Sequence, residues 1–158
     1  ISVDMSPGKG VDIVVKPGEP LPFEDGSVDA VVSTSCFEHD PCFWMTFREM
    51  CRIVKVGGFI YINAPSGGVY HGYPGDNWRF FADAGFALAV WSSANVGGTS
   101  YPAEVVETLI IDGIPNCDCF WKDWVCIWRR TEVPQTEITN PAIKAFTGPF
   151  KAVLNTYR

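Results

Sequence analysis

His39 and His71 are the only histidines in the chain, and histidine is the side chain whose ordinary titration falls near neutrality. Both are therefore candidates for proton transfer to or from a bound molecule. His39 stands where a helix begins, so it reads either as a hydrogen-bonding residue at the helix entry or as a base. His71 lies in a Gly-rich loop, Ser66 to Pro74, and loops carry function out of proportion to their length. Cysteines stand at positions 36, 42, 51, 117, 119 and 126. Cys117-x-Cys119 with Cys36 and the histidines matches no tetrahedral zinc spacing, and no metal is expected. SPGKGV lacks the frame of a phosphate loop, because Lys9 is followed by Gly10, and it reads as a plain turn. Trp78, Phe80 and Phe81 suit core packing or stacking on a sugar or aromatic ligand.

The elements that must position these residues follow from hydrophobic periodicity. Ile1, Val3 and Met5 alternate with Ser2 and Asp4, giving a strand that ends on an acid. VDIVVK (11–16) reads as a second strand. VDAVVST (28–34) is a near-continuous apolar run, as expected of a strand buried on both faces of a parallel sheet. From Asp40 the period changes: Phe43, Phe47, Met50, Cys51 and Val54 share one helical face, and Arg48, Glu49, Arg52 and Lys55 the other. Asp40 suits the N-cap, Pro41 the first position, and Gly57-Gly58 the stop. FIYINAP (59–65) completes a parallel strand–helix–strand unit of the right-handed type.

NWRFFADAGFALAVWSSAN (77–95) predicts a helix of about 17 residues weakened by Gly85. AEVVETLIID (103–112) and DWVCIWRRT (123–131) are joined by a loop too short for a crossover helix and should pair antiparallel. Pro134, Pro141 and Pro149 mark a surface arm with a short helix near 142–146. The expected organisation is one α/β domain over 1–132 with an arm, 133–158, packed on it. Its sheet is expected to be mostly parallel with a C-terminal antiparallel hairpin and helices on both faces.

Composition narrows the function. The 158 residues, 47% of them hydrophobic, suffice for one core. No apolar run approaches the roughly 20 residues that cross a bilayer, and no leader is visible, so a soluble protein without membrane contact is expected. A net charge of −6 and a pI near 4.8 argue against nucleic acid as a partner, since Arg129-Arg130 is the one tight basic pair. Cysteines inside apolar stretches favour free thiols, a reducing compartment and a cytoplasmic location.

LPFEDGSVDAVVSTSCFEHD followed by FREMCRIVKVGGFIYINAPS resembles the middle of class I S-adenosylmethionine-dependent methyltransferases of the Rossmann-like, type 11-like kind. The matching blocks are Leu21-Pro22-Phe23, Ser27-Val28-Asp29, Phe37-Glu38-His39 and Arg52-Ile53-Val54-Lys55-Val56-Gly57-Gly58. VDMSPGKGVDIVVKPGEPLPF and YPGDNWRF look similar to a subgroup found beside sugar and cell-surface biosynthesis. The resemblance implies S-adenosylmethionine as cofactor and a small-molecule or sugar-like acceptor. It places Asp4 on the ribose, Leu21 and Phe23 at the adenine, Ser33, Thr34 and Ser35 at the methionine portion, and Glu38 and His39 on the same crevice. Of the acceptor side it implies His71 as general base, with Asp76 or Tyr73 orienting the acceptor.

The chain also departs from that pattern. No GxGxG is present, so the family's first strand and Gly-rich turn are expected upstream of Ile1, which is not an initiator Met. Lys16 stands where the family often has an Asp facing the adenine amino group, and a lysine can only donate there. The alternative function is a non-catalytic methyltransferase-like module that self-associates through an exposed sheet edge as a homo-oligomer.

Overall fold

Trp124, Cys126 and Trp128 alternate along one strand and are all fully buried, and the whole fold is arranged to cover them. A computed structural model describes residues 1–72, 74–112 and 121–134 and the backbone of 151–153. Its elements in chain order are β1 (Val3–Asp4), β2 (Ile13–Val14), β3 (Val28–Thr34), α1 (Phe43–Ile53), β4 (Val54–Gly67), α2 (Ala84–Ser93), β5 (Ala103–Asp112), β6 (Lys122–Arg130) and β7 (Lys151–Val153). β1 and β2 form a parallel pair, and the other strands form one sheet in the order β3-β4-β6-β5-β7.

The α/β class read from the sequence holds, and the strands at 28–34, 103–112 and 122–130 lie where periodicity put them. The finer layout differs. Among the described residues parallel pairing is confined to β1–β2 and β3–β4, while β4–β6, β6–β5 and β5–β7 are antiparallel, so the five-stranded sheet is mixed and not mostly parallel. Both described helices also lie on one face of it. Phe47 of α1 packs its ring 4.7 Å from that of Trp128, whose indole N–H donates to Gly85 O of α2 at 2.9 Å. Burying each such large side chain contributes roughly 1.5–3 kcal/mol, which is why one continuous apolar side of β4 and β6 recruits both helices.

β3 is an edge strand among the described residues, not a strand buried on both faces: Val32 is 68% exposed and Ala30 is exposed. An apolar run signals a strand without revealing how many neighbours it will have. α1 ends at Ile53 and β4 begins at once with Val54, ahead of Gly57-Gly58, because Val54 already pairs with Val28. Gly58 serves the sheet instead of the helix, since a Cβ there would meet Asp29 O at 2.5 Å. The predicted helix over 77–95 shrinks to Ala84–Ser93. The chain before it stays extended because Asn77, Trp78 and Phe80 donate their amides to Glu38 O and Pro65 O instead of to their own segment. The short helix expected near 142–146 lies outside the described residues, as do Cys117 and Cys119.

Two guanidinium groups close the helix ends. Arg48 donates to the carbonyls of Ser92, Ala94, Val96 and Thr99, covering the end of α2. Arg130 does the same for Cys51 O on the last turn of α1. Carbonyls at a helix C-terminus have no partner inside the helix and favour a cation there.

Gly85 sits where a Cβ would lie 2.5 Å from Cys126 Sγ. Gly85→Ala is therefore expected to lower stability by about 1–3 kcal/mol through overpacking, despite the better helix propensity of alanine. Urea denaturation checks this, and a stabilised variant would refute the close contact. Burial pushes the Cys51 thiol from 9.0 up to about 12. The folded chain keeps this proton where the unfolded chain has lost it, so the resulting stability is complete below about pH 9 and is lost as pH climbs toward 12. Cys51→Ala is expected to flatten that alkaline decline relative to the parent chain in denaturation curves taken across the same window.

Candidate active site

The site forms where two loops leave the same end of the parallel pair. β3 ends at Thr34 and its loop carries Cys36 to Asp40 into α1, while β4 ends at Gly67 and its loop carries His71 to Arg79. The second loop is stitched to the first. Asn77 N and Trp78 N both donate to Glu38 O, Asn77 Nδ2 donates to His39 O at 2.9 Å, and Trp78 Nε1 donates to Asp40 O at 2.9 Å. Asp40 accepts from Cys42 N at 2.7 Å and also from Thr46 Oγ1, so it fastens the first turn of α1 from just outside it, with Cys42 at the N-cap. Ser35 sits between strand and loop at φ 49, the one non-glycine residue with positive φ among the described residues. Backbone held in that region persists only where its surroundings enforce it, and such residues gather at functional sites.

His39 and His71, far apart in sequence, are brought edge to face with ring centroids 5.0 Å apart. The Glu38 side chain lies between them: its Oε1 is 3.5 Å from His39 Nε2 and 3.7 Å from His71 Nε2. Its carboxylate is fully buried, and among the described residues neither oxygen makes a hydrogen bond. Behind His71, Asp76 Oδ2 lies 3.2 Å from Nδ1 and accepts the His71 backbone N–H at 2.9 Å. Arg79 holds that carboxylate with both terminal nitrogens, and with the His71 N–H it keeps Asp76 well below the usual carboxylate range although burial pushes the other way. Trp121 covers the other side of the His71 ring at 5.1 Å.

Both rings stand between acceptors. His71 Nδ1 faces Asp76 and the Val69 carbonyl, and His39 Nδ1 contacts the Gly75 carbonyl. Each Nε2 faces the Glu38 carboxylate on the other side of its ring. A shallow, open depression lined by Gly68, Tyr70, Asp76, Asn77, Trp78 and Arg79 adjoins this cluster through Asp76.

The other residues singled out from the sequence divide into two groups. Asp4 ends β1 exposed, with Oδ1 accepting from Ser6 N at 2.9 Å and Oδ2 making no hydrogen bond among the described residues. It lies close enough to Cys36 for its charge, with those of Asp40 and Glu38, to add to the burial that raises that thiol to about 11. Ser33 is buried beside Cys36, whereas Thr34 and Ser35 are exposed at the same strand end. Leu21 and Phe23 are elsewhere. Their carbonyls accept from the Arg52 guanidinium at 2.8 and 2.7 Å, at the last turn of α1, and the helix is about 16 Å long. The structure thus does not bring them together with Asp4 and Ser33; it puts Gly18 of the same loop beside Cys42 at the near end instead. Phe80 is core, stacked on Trp124 with ring centroids 5.2 Å apart, while Phe81 is exposed. Tyr73 lies outside the described residues. The expectation of no metal rested on sequence spacing, and the fold collapses that spacing for the two histidines. Arg79 is the residue sequence reading passed over; its position three after Asp76 was the available signal.

Residues 3–62 match the methyltransferase domain family. The described strands and helices share their arrangement with a Burkholderia thailandensis 1,6-didemethyltoxoflavin-N1-methyltransferase bound to 1,6-didemethyltoxoflavin and S-adenosylhomocysteine (TM-score 0.55, 13% identity, 82% of this chain and 60% of that one). They are similarly arranged in a Methanosarcina mazei S-adenosylmethionine-dependent methyltransferase (TM-score 0.53, 14% identity, 77% and 68%). A methyltransferase complexed with the Haloferax volcanii Trm112 activator gives a TM-score of 0.54 at 17% identity over 80% and 65%. The fold is that of a class I, Rossmann-like methyltransferase. In sequence the chain is 46% identical over 41 residues to an uncharacterised methyltransferase of Mycobacterium sp. strain KMS, a match spanning 26% of this chain and 16% of the relative.

Arg79→Ala removes the cation from a buried carboxylate that fixes the His71 loop. The loss is expected to be about 1–3 kcal/mol of local stability and to speed amide exchange at His71, whose N–H Asp76 accepts. Unchanged protection would show that the loop is held by other contacts.

Proposed function

We propose that this chain serves S-adenosylmethionine-dependent methyl transfer to a small-molecule acceptor, and the observation that carries the reading is the convergence of Glu38, His39 and His71 at the carboxyl end of β3 and β4. Ligands of open α/β sheets bind outside that end of the strands. The donor set there suits the cofactor: Asp4 keeps a carboxylate oxygen for ribose hydroxyls, and Thr34 and Ser35 offer hydroxyls and a bent backbone to its polar end. Leu21 and Phe23, whose carbonyls Arg52 holds beside the last turn of α1, are proposed to lie outside this donor set. When bound, S-adenosylmethionine supplies a methyl group on a positively charged sulfur that leaves readily.

The remaining tasks fall to the chain. An acceptor hydroxyl or amine brought to the open part of the His71 ring loses its proton to this imidazole, which the Asp76 carboxylate holds in place from the Nδ1 side. Asp76 is thus a positioning residue, and Arg79 keeps it ionised. Tyr73 is proposed to orient the acceptor from the same loop. A hydroxyl, an amine and a sugar-like molecule all suit this arrangement.

Isothermal titration of the chain with S-adenosylmethionine and S-adenosylhomocysteine tests the donor side. Micromolar binding is expected, weakened roughly 10-fold or more by Asp4→Asn, the loss of a hydrogen bond to a charged group. No binding by a folded chain would overturn the reading. The exposed β3 edge, with Val32 68% exposed, supports the second reading, a non-catalytic module that pairs with another copy through this edge. Sedimentation separates the two, because a chain that binds the cofactor as a monomer removes the second.

A further inference from the structure

We infer that Glu38, His39 and His71 form a binding site for one divalent cation, zinc by the chemistry of the ligands. The inference goes beyond methyl transfer and does not depend on it. Three potential ligand atoms, Glu38 Oε1, His39 Nε2 and His71 Nε2, all lie within 4.8 Å of one another, and among the described residues no group donates a hydrogen bond to the carboxylate. A carboxylate sealed from solvent without a hydrogen bond is costly unless something positive sits beside it. Arg79 is near enough for its charge to act on Glu38, but both its terminal nitrogens are hydrogen-bonded to Asp76 and neither reaches the Glu38 oxygens.

Distance separates a cation from a simple ion pair. Were the imidazoles protonated partners of Glu38, charge-assisted hydrogen bonds of about 2.7–2.9 Å would be expected. The observed separations are 3.5 and 3.7 Å. Ligand atoms about 2.0–2.2 Å from a zinc ion at tetrahedral angles are about 3.3–3.6 Å apart, so the two carboxylate–imidazole separations are close to those of ligands sharing one ion.

The surroundings carry the features of a metal site. A metal-ligating histidine almost always gives its other ring N–H to a carboxylate or carbonyl, which fixes the tautomer. His71 Nδ1 has Asp76 and Val69 O, and His39 Nδ1 has Gly75 O. With Asp76 neutralised by Arg79, the three ligands bring one negative charge, suited to a dication. Two imidazoles and one carboxylate are a zinc set that leaves a fourth position for an exchangeable oxygen ligand. His71 is the most exposed of the three, with a third of its side chain open, so solvent reaches the cluster from its side. A cation held there engages the lone pair that serves as base in the metal-free chain, and acidifies an oxygen bound at its open position in place of that base.

The test uses the full chain stripped of metal. Isothermal titration with zinc chloride is expected to give one ion per chain with a micromolar or tighter Kd. Glu38→Gln and His71→Ala should each weaken binding at least 100-fold, and Asp76→Asn about 10–100-fold, the usual effect of losing an orienting partner. Cobalt(II) should give visible bands of a four-coordinate site without the near-ultraviolet absorption of a thiolate ligand. Circular dichroism confirms that each variant is folded; His71, on a partly open loop, keeps the test valid should Glu38→Gln unfold. No uptake by the folded parent chain, uptake unchanged in both ligand variants, or a thiolate spectrum would each overturn the site. All are read without S-adenosylmethionine, so failure here is distinguishable from failure of methyl transfer.

Discussion

The main-chain carbonyl of Glu38 accepts two amides, from Asn77 and Trp78, and the geometry of the site depends on that junction. It ties the loop after β4 to the loop after β3, and so carries His71 to His39. The same two hydrogen bonds draw residues 77 and 78 out of any helix and delay α2 until Ala84. Side-chain bonds from Asn77 and Trp78 to the next two carbonyls make the junction a short zipper that would have to open as a unit. Glu38 itself is held there: its carbonyl accepts two hydrogen bonds, and its buried side chain lies between the two rings.

The junction holds because its two anchors are rigid. Below it, β3 and β4 pair so closely that Asp29 leaves no room for a side chain at position 58. Beside it, Phe37, Phe43 and Phe80 join the tryptophan core of β6, with Phe43 edge-on to Phe80 and Phe80 stacked on Trp124. The polar site therefore rests on an aromatic floor, which excludes water from Glu38 and raises the cost of leaving its charge uncompensated. Arg48 and Arg130 add the remaining restraint by fixing where α1 and α2 end relative to each other and to β6.

Electrostatics give the end of the sheet one sign. Asp4, Glu38 and Asp40 all raise the Cys36 thiol, so the region is anionic around a strained turn at Ser35. A positively charged ligand, whether a sulfonium or a metal ion, is favoured there, in keeping with a chain of net charge −6. The class I methyltransferase fold and this field are independent observations that point to the same end of the strands.

The sequence by itself determined the α/β class, the places of β3, β5 and β6, and the membership of His39 and His71 among the groups able to do chemistry. These are written in local patterns: β-branched runs, helical spacing, and residue types with fixed ionisation. It did not determine that β3 would be an edge, that both helices would share a face, or that Leu21 and Phe23 would be held at the far end of α1. Nor could spacing show that His39 and His71 would meet over one carboxylate. Those outcomes turn on which carbonyl a given amide finds and which surface a given ring covers. They are settled by competition between distant segments, and only the tertiary structure decides that competition.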